Sequence, residues 1–215
     1  MQSTKVLEML NEGRIEELKA LLMDEIYQDT LKSRPNAKKR YTAMKKYFGY
    51  VNQSREVLQK PCVIEFEDKP YTCFTNSWSL VLTTEDTGEI ELYDQSIGKY
   101  PEVGRLIRFD GLKKKIDFNA VIAEARSKGY KLTKSEVNPG YRYLMCYDDT
   151  YYKLGLIDIT YRIIDNGEPA MTYHPYGERM PLTIQNDLGL AIIMPVYIKD
   201  KSEIDENVIV INVED

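Results

Sequence analysis

The chain is poor in the residues that most often announce an enzyme. It has one histidine, His174, among 215 residues, so zinc chemistry of the H-E-x-x-H kind has no second ligand. It has three cysteines, Cys62, Cys73 and Cys146, an odd number at wide and unpatterned spacing, which argues against a disulfide framework or a thiolate metal site. It lacks G-x-x-x-x-G-K-[ST], and no G-x-G-x-x-G follows a strand, so no phosphate cradle for a nucleotide is visible. No apolar run approaches the roughly 18 residues of a membrane span. The opening MQSTKVLEMLNEGRIEEL carries acids where a secretory leader would be apolar, which predicts a cytoplasmic protein. His174, in Tyr173-His174-Pro175-Tyr176-Gly177, reads as a turn histidine, and Asp148-Asp149 as a hairpin tip rather than a metal site. The expectation is a protein that works by binding, with no cofactor and no metal.

What is present supports a packed core. Hydrophobic residues make up 43% of the chain, and 17 tyrosines with 5 phenylalanines supply large buried surfaces. Residues 4–31 place Val6, Leu7, Leu10, Ile15, Leu18, Leu21, Leu22 and Ile26 at helical spacing, with Gly13 marking a break. This segment, taken as 1–35, fits either a helix packed on its own domain or an interaction arm. After the turn at Pro35, a helix is expected over 37–51. Strands are expected at 62–66, 71–74 and 78–84, and a hairpin with an irregular loop over 85–104. A second helix is expected over 117–128, capped by Asp117 and stopped by Gly129. Further strands are expected at 141–147, 170–173, 181–185 and 190–197, with a short helix at 154–164. The run Leu190-Ala191-Ile192-Ile193-Met194 suits a central strand buried on both faces. The acidic tail, 199–215, contains Val208-Ile209-Val210-Ile211, a candidate edge strand. Strands grouped with helices without regular alternation predict an α+β fold. A looser duplication is expected within 36–198, with halves of about 36–110 and 111–198.

Charge is segregated along the chain. Residues 36–60 carry a net +6, and residues 99–134 another +6, within a total of −5, leaving −17 for the remainder. Lysine and arginine release condensed counterions from a phosphate backbone, and an acidic remainder repels that backbone everywhere else. Each run touches a predicted helix. A solvated helix face is the ordinary meaning of such a run; two of them in an acidic protein also point to an anionic polymer. Lys113-Lys114-Lys115 reads equally as a basic contact or a solvated loop.

Three features resemble a sliding DNA clamp, the processivity-factor fold of the bacterial polymerase β subunit. Phe74-Thr75-Asn76-Ser77-Trp78-Ser79-Leu80-Val81 resembles the family pattern in which a strand ends at T-D-G-Y and restarts with R-L. Pro181-Leu182-Thr183-Ile184, the turn Asn186-Asp187-Leu188-Gly189, and Ala191-Ile192-Ile193-Met194-Pro195-Val196 are similar to the closing strands of the last clamp domain. The order of elements, helix then strands occurring twice, is the third. Asn76-Ser77 stands in place of Asp-Gly, and Tyr197 where the family has Arg. The resemblance covers about 37–198, roughly one clamp domain, where a ring needs several. It implies a clamp-like α+β domain with an N-terminal helical extension, and small proteins of this kind from phages or mobile elements. It implies contact with double-stranded DNA through Lys38, Lys39, Arg40, Lys45, Lys46, Lys113, Lys114, Arg126 and Lys128, without reading of base sequence. It also implies a pocket for a polymerase-type peptide near Met194, Pro195 and Val196, and a homo-oligomer. A protein-interaction or scaffold module of the same fold, with no DNA role, is the competing expectation.

Overall fold

The computed structural model describes residues 3–19, 21–22, 36–50, 55–85, 87–88, 90–137, 141–177, 180–198, 202 and 204–213. The chain divides into two compact units, Met1–Lys38 and Lys39–Asp215. In the first, helix α1 spans Ser3–Asn11 and residues 15–19 and 21–22 are helical. Gly13, at φ +70°, breaks the two as its position in the sequence suggests.

The second unit is α+β. Its main sheet has seven strands in the order β1-β2-β3-β9-β8-β7-β4, every pair antiparallel. They are β1 (Cys62–Phe66), β2 (Lys69–Thr75), β3 (Ser79–Thr83), β4 (Leu112–Ile116), β7 (Ala170–His174), β8 (Leu182–Asn186) and β9 (Gly189–Ile193). A second sheet of three strands runs β10-β5-β6, with β5 Tyr143–Tyr147, β6 Thr150–Lys153 and β10 Ile209–Asn212, and β10 pairs parallel to β5. The helices are α2 (Ala37–Tyr50), α3 (Phe118–Ser127), the single turn α4 (Lys134–Val137) and α5 (Leu154–Ile164).

Both faces of the main sheet are covered, which explains why β3 (SLVLT) and β9 (GLAII) are buried along their whole length. On one face Phe74, Val81, Ile116, Ala170, Leu182, Ile184, Ala191 and Ile193 meet α2, α3 and α5. On the other, Cys62, Cys73, Leu80, Leu82, Leu190 and Ile192 are covered by Leu58, Tyr100 and Val103 from the connecting segments. Helix α5 packs on β3 and β9 and also on β5, β6, α3 and α4. Only Arg162 along it escapes full burial. This central position overrides the low helix propensity of Ile157, Ile159 and Thr160, because packing of apolar side chains outweighs propensity differences of tenths of a kcal/mol.

Two helix-then-three-strand segments face each other in the main sheet. Helix α2 leads β1-β2-β3, α5 leads β7-β8-β9, and the two meanders join through β3 and β9. At that seam Gly189 lies at φ +151°, and a Cβ there would stand 2.0 Å from the carbonyl oxygen of Leu82. Glycine is required for the close approach.

Several expectations change. The described residues between 84 and 111 hold a 3-10 turn at Gly104–Leu106 but no hairpin; their Gly, Pro and polar residues offer no alternating apolar face. Lys113-Lys114-Lys115 is not a loop but the body of edge strand β4. The strand expected to run to Tyr197 ends at Ile193, since Pro195 has no N–H to give the ladder, and Val196 bridges instead to Tyr151 of β6.

Candidate nucleic-acid interface

Helix α2 is amphipathic by position. Arg40, Ala43, Met44 and Tyr47 are buried at helical spacing, and Lys38, Lys39, Thr42, Lys45, Lys46 and Gly49 are exposed. Tyr47 stacks edge-on against Phe74 at 5.7 Å, and its hydroxyl meets Ser79 Oγ at 3.2 Å, which fixes the helix on β2 and β3. No acidic residue occurs anywhere in the helix, so its outward face is a run of ammonium groups. The Lys45 ammonium lies 4.4 Å over the Tyr41 ring, which holds it at the surface rather than neutralising it.

Arg40 is a correction. Grouped by sequence with its lysine neighbours, it is instead 2% exposed. Its Nη2 donates to Glu85 Oε2 at 3.1 Å and its Nη1 to the Asp165 carbonyl at 2.8 Å. A guanidinium in that position cannot reach a phosphate. Its phase, three residues after Ala37 and seven before Tyr47, was the signal in the sequence that separates it from the lysines.

Asp165 also ties in α3. Its carboxylate oxygen Oδ1 accepts from Asn119 Nδ2 at 3.1 Å and from the Gly167 N–H at 2.9 Å. Both basic helices are therefore anchored near their N-terminal turns at one residue, directly after α5. Helix α3 starts at Asp117, whose side chain accepts the Ala120 N–H at 3.1 Å. Phe118 packs on Tyr161 of α5 at 5.0 Å. At the far end Tyr130, beyond α3, donates to Asp158 of α5 at 3.1 Å. Asp158 is fully buried, and Arg162 Nη2 closes on it at 2.8 Å. That contact holds the Arg162 guanidinium in its charged form, against the opposing cost of burial. Arg126 is exposed on α3, and Lys128, the exposed residue that caps its C-terminus, pairs with Glu124 at 2.7 Å.

Strand β4 distributes its lysines by the period of two. Leu112, Lys114 and Ile116 point to the face where the helices pack, and Lys113 and Lys115 to the opposite face. Lys113 lies 5.4 Å over Tyr173, whose ring meets Phe109 from the covering segment on that opposite face. Lys113 is therefore separated from α2 and α3 by the sheet itself. Lysines on an outermost strand also have a structural use, since they block edge-to-edge pairing.

Met194, Pro195 and Val196 are each half-buried and cross from the main sheet to the small one. The Met194 N–H donates to the Trp78 carbonyl at 2.9 Å, and the Val196 N–H to the Tyr151 carbonyl at 2.7 Å. Trp78 is a residue that pattern reading passed over as a site. Its backbone is pinned because Asn76 Oδ1 accepts the N–H groups of Trp78 and Ser79 at 3.0 and 2.7 Å. Trp78 itself stands 64% exposed. A rigid exposed aromatic can bury much area for little lost side-chain entropy.

Among the described residues, no group of three His, Cys, Asp or Glu side chains could hold a metal ion, and no helix is long and apolar enough to cross a membrane. Comparison with known proteins finds no match to this chain among protein-family models, curated proteins or solved structures.

Proposed function

We propose that this chain is a non-catalytic, clamp-like DNA-binding protein that grips duplex phosphates through the outward face of α2. The observation that carries the reading is the pairing of Lys39, Lys45 and Lys46, with Lys38 beside them on the same helix, with the inward locking of Arg40 on Glu85. The lysines are exposed on a helix whose own sequence contains no acid. Arg126 and Lys128 of α3 extend the surface, because α3 is anchored with α2 at Asp165 and lies on the same side of the main sheet. Such contacts are to backbone phosphates and carry no base sequence. The clamp-like part of the reading draws on the two meanders that join through β3 and β9, the second of which is led by α5 and not by the helix expected at 117–128. Helix α5, which leads the second meander, is buried, so its place at the surface falls to α2 and α3.

Salt-dependent duplex binding tests the proposal. A non-specific duplex should bind at 50 mM salt and weaken steeply by 200 mM. Replacing Lys39, Lys45, Lys46 and Arg126 together by Glu should abolish it; retained binding would sink the reading. A polymerase-type peptide partner at Trp78 and Met194–Val196, and a homo-oligomer, belong to the same reading and are tested by peptide titration and by solution mass.

A second reading, a protein-interaction module with no DNA role, is favoured by the N-terminal unit. There Leu7, Leu10, Ile15, Leu21 and Leu22 are all exposed. Loss of a partner on deletion of residues 1–35, with DNA binding absent in the intact chain, would decide for it.

A further inference from the structure

His174 is the single histidine of the chain, and it lies inside a joint. It ends β7 of the main sheet, is 2% exposed, and packs against the β5–β6 hairpin of the small sheet. The rings of Tyr147 and Tyr152 stand edge-on to it at 5.8 and 6.2 Å. Its Nδ1 is 3.3 Å from Asp148 Oδ2, at the tip of that hairpin, out of line for a good hydrogen bond. Its Nε2 is buried with no hydrogen-bond partner among the described residues. The hairpin turn is tight. Asp148 and Asp149 both adopt left-handed backbone, at φ +49° and +54°, a conformation that costs a non-glycine residue free energy. The other side of the joint is closely packed, since a Cβ at Gly111 would lie 2.1 Å from the His174 carbonyl oxygen.

The charged and titratable groups around the ring are few. The hairpin contributes Tyr147, Asp148 and Tyr152. Strand β4 sets Leu112 opposite His174 and Lys114 two positions along the same face. Strand β8, the other neighbour of β7, carries none between Leu182 and Ile184. Burial pushes the His174 imidazole below the ordinary histidine value, and Asp148 offsets only part of that cost.

We propose that His174 makes the joint between β7 and the β5–β6 hairpin a pH-sensitive latch, closed on the neutral imidazole and released when acidification places a charge there. A protonated ring has two N–H donors and a single half-exposed carboxylate to receive one of them. Exposing the ring to water relieves the second, and this requires the hairpin to lift from β7. The same hairpin holds Val196 through the Tyr151 carbonyl, so release also frees the Met194–Val196 crossing. The proposal stands whether or not the chain binds DNA.

The unfolded chain takes up its histidine proton near the ordinary value of 6.5, and the folded chain only at lower pH. Stability at neutral pH is therefore lost as pH falls through 6.5 towards the folded midpoint. Because the chain has one histidine, its ring C–H resonances report this group without assignment. The test follows them in the full chain from pH 8 to 5, with amide exchange of 143–153 measured relative to that of 62–83. The expected result is a ring midpoint below 6.5 and a relative exchange increase confined to 143–153. In His174→Gln that pH-dependent increase should vanish. Should that variant fail to fold, Asp148→Asn serves: its ring midpoint should fall further than the wild type's. A wild-type midpoint at or above 6.5, an exchange increase shared equally by 62–83, or an unmoved midpoint in Asp148→Asn would overturn the latch.

Discussion

The two basic stretches, 36–60 and 99–134, carry the same net charge and end as different surfaces. In 37–50 the helical period collects Lys38, Lys39, Lys45 and Lys46 on one exposed face and sends Arg40 inward. In 112–128 the charge passes through a strand and then a helix. The strand period sends Lys113 and Lys115 to the opposite side of the sheet, and Glu124 pairs with Lys128 on the helix. Equal charge per segment is therefore not equal charge per surface. The period of the element that carries a lysine decides which side of the molecule it serves, and α2 gathers its lysines on one face.

The comparison can be broken most severely at Arg40. Arg40→Met removes the buried guanidinium that donates to Glu85 and to the Asp165 carbonyl, so chemical denaturation should show a loss of about 3–5 kcal/mol. A loss below about 1 kcal/mol would mean that Arg40 is not the inward anchor of α2. Next in size is charge reversal. Lys39, Lys45 and Lys46 changed together to Glu should weaken duplex binding by about 100-fold at 50 mM salt, since each lysine removes one phosphate contact and each glutamate adds repulsion. Lys113 and Lys115 changed together to Glu should weaken it by less than about 3-fold, leaving only long-range charge, which salt screens over about 10 Å. Equal losses in a binding titration would erase the distinction between the two stretches. Asp117→Ala, which removes the cap of α3, should cost about 1 kcal/mol of stability by thermal or denaturant unfolding. The smallest effect belongs to the exposed Glu124–Lys128 pair. Lys128→Ala should change stability by at most about 0.5 kcal/mol, and a larger loss would assign that lysine a role in packing.

Much of the architecture was legible from periodicity and turn chemistry. The apolar run at 190–194 marked the middle strand of the main sheet, and Asp117 and Gly129 bracketed α3 as caps do. The Asp148-Asp149 pair marked a hairpin, and 208–211 a strand at the outside of a sheet. The site was less legible, for physical reasons. Arg40 and Lys39 are adjacent letters with opposite fates: helical phase turns Arg40 inward, and Glu85, 45 residues away, receives it inside the fold. Lys113-Lys114-Lys115 looks like a solvated loop because three lysines disfavour a strand. Pairing with β7 overrides that preference, and strand context then places alternate side chains on opposite faces. The Trp78 carbonyl accepts from the Met194 N–H, more than a hundred residues later in the chain. His174 read as a turn residue, yet it ends β7 and is enclosed by a hairpin that belongs to the other sheet. Long-range pairings of this kind leave no local pattern.

The central claim is that α2 presents a rigid set of phosphate-binding lysines. Its most direct test is the slope of log binding constant against log salt for a short non-specific duplex, measured on the wild type and on the Lys39, Lys45, Lys46 to Gln variant. The account predicts a wild-type slope of about −3 or steeper, and a variant slope shallower by about 2.5 to 3, since each phosphate-bound lysine contributes about −0.9. A wild-type slope near zero, or the same slope in both proteins, would contradict it.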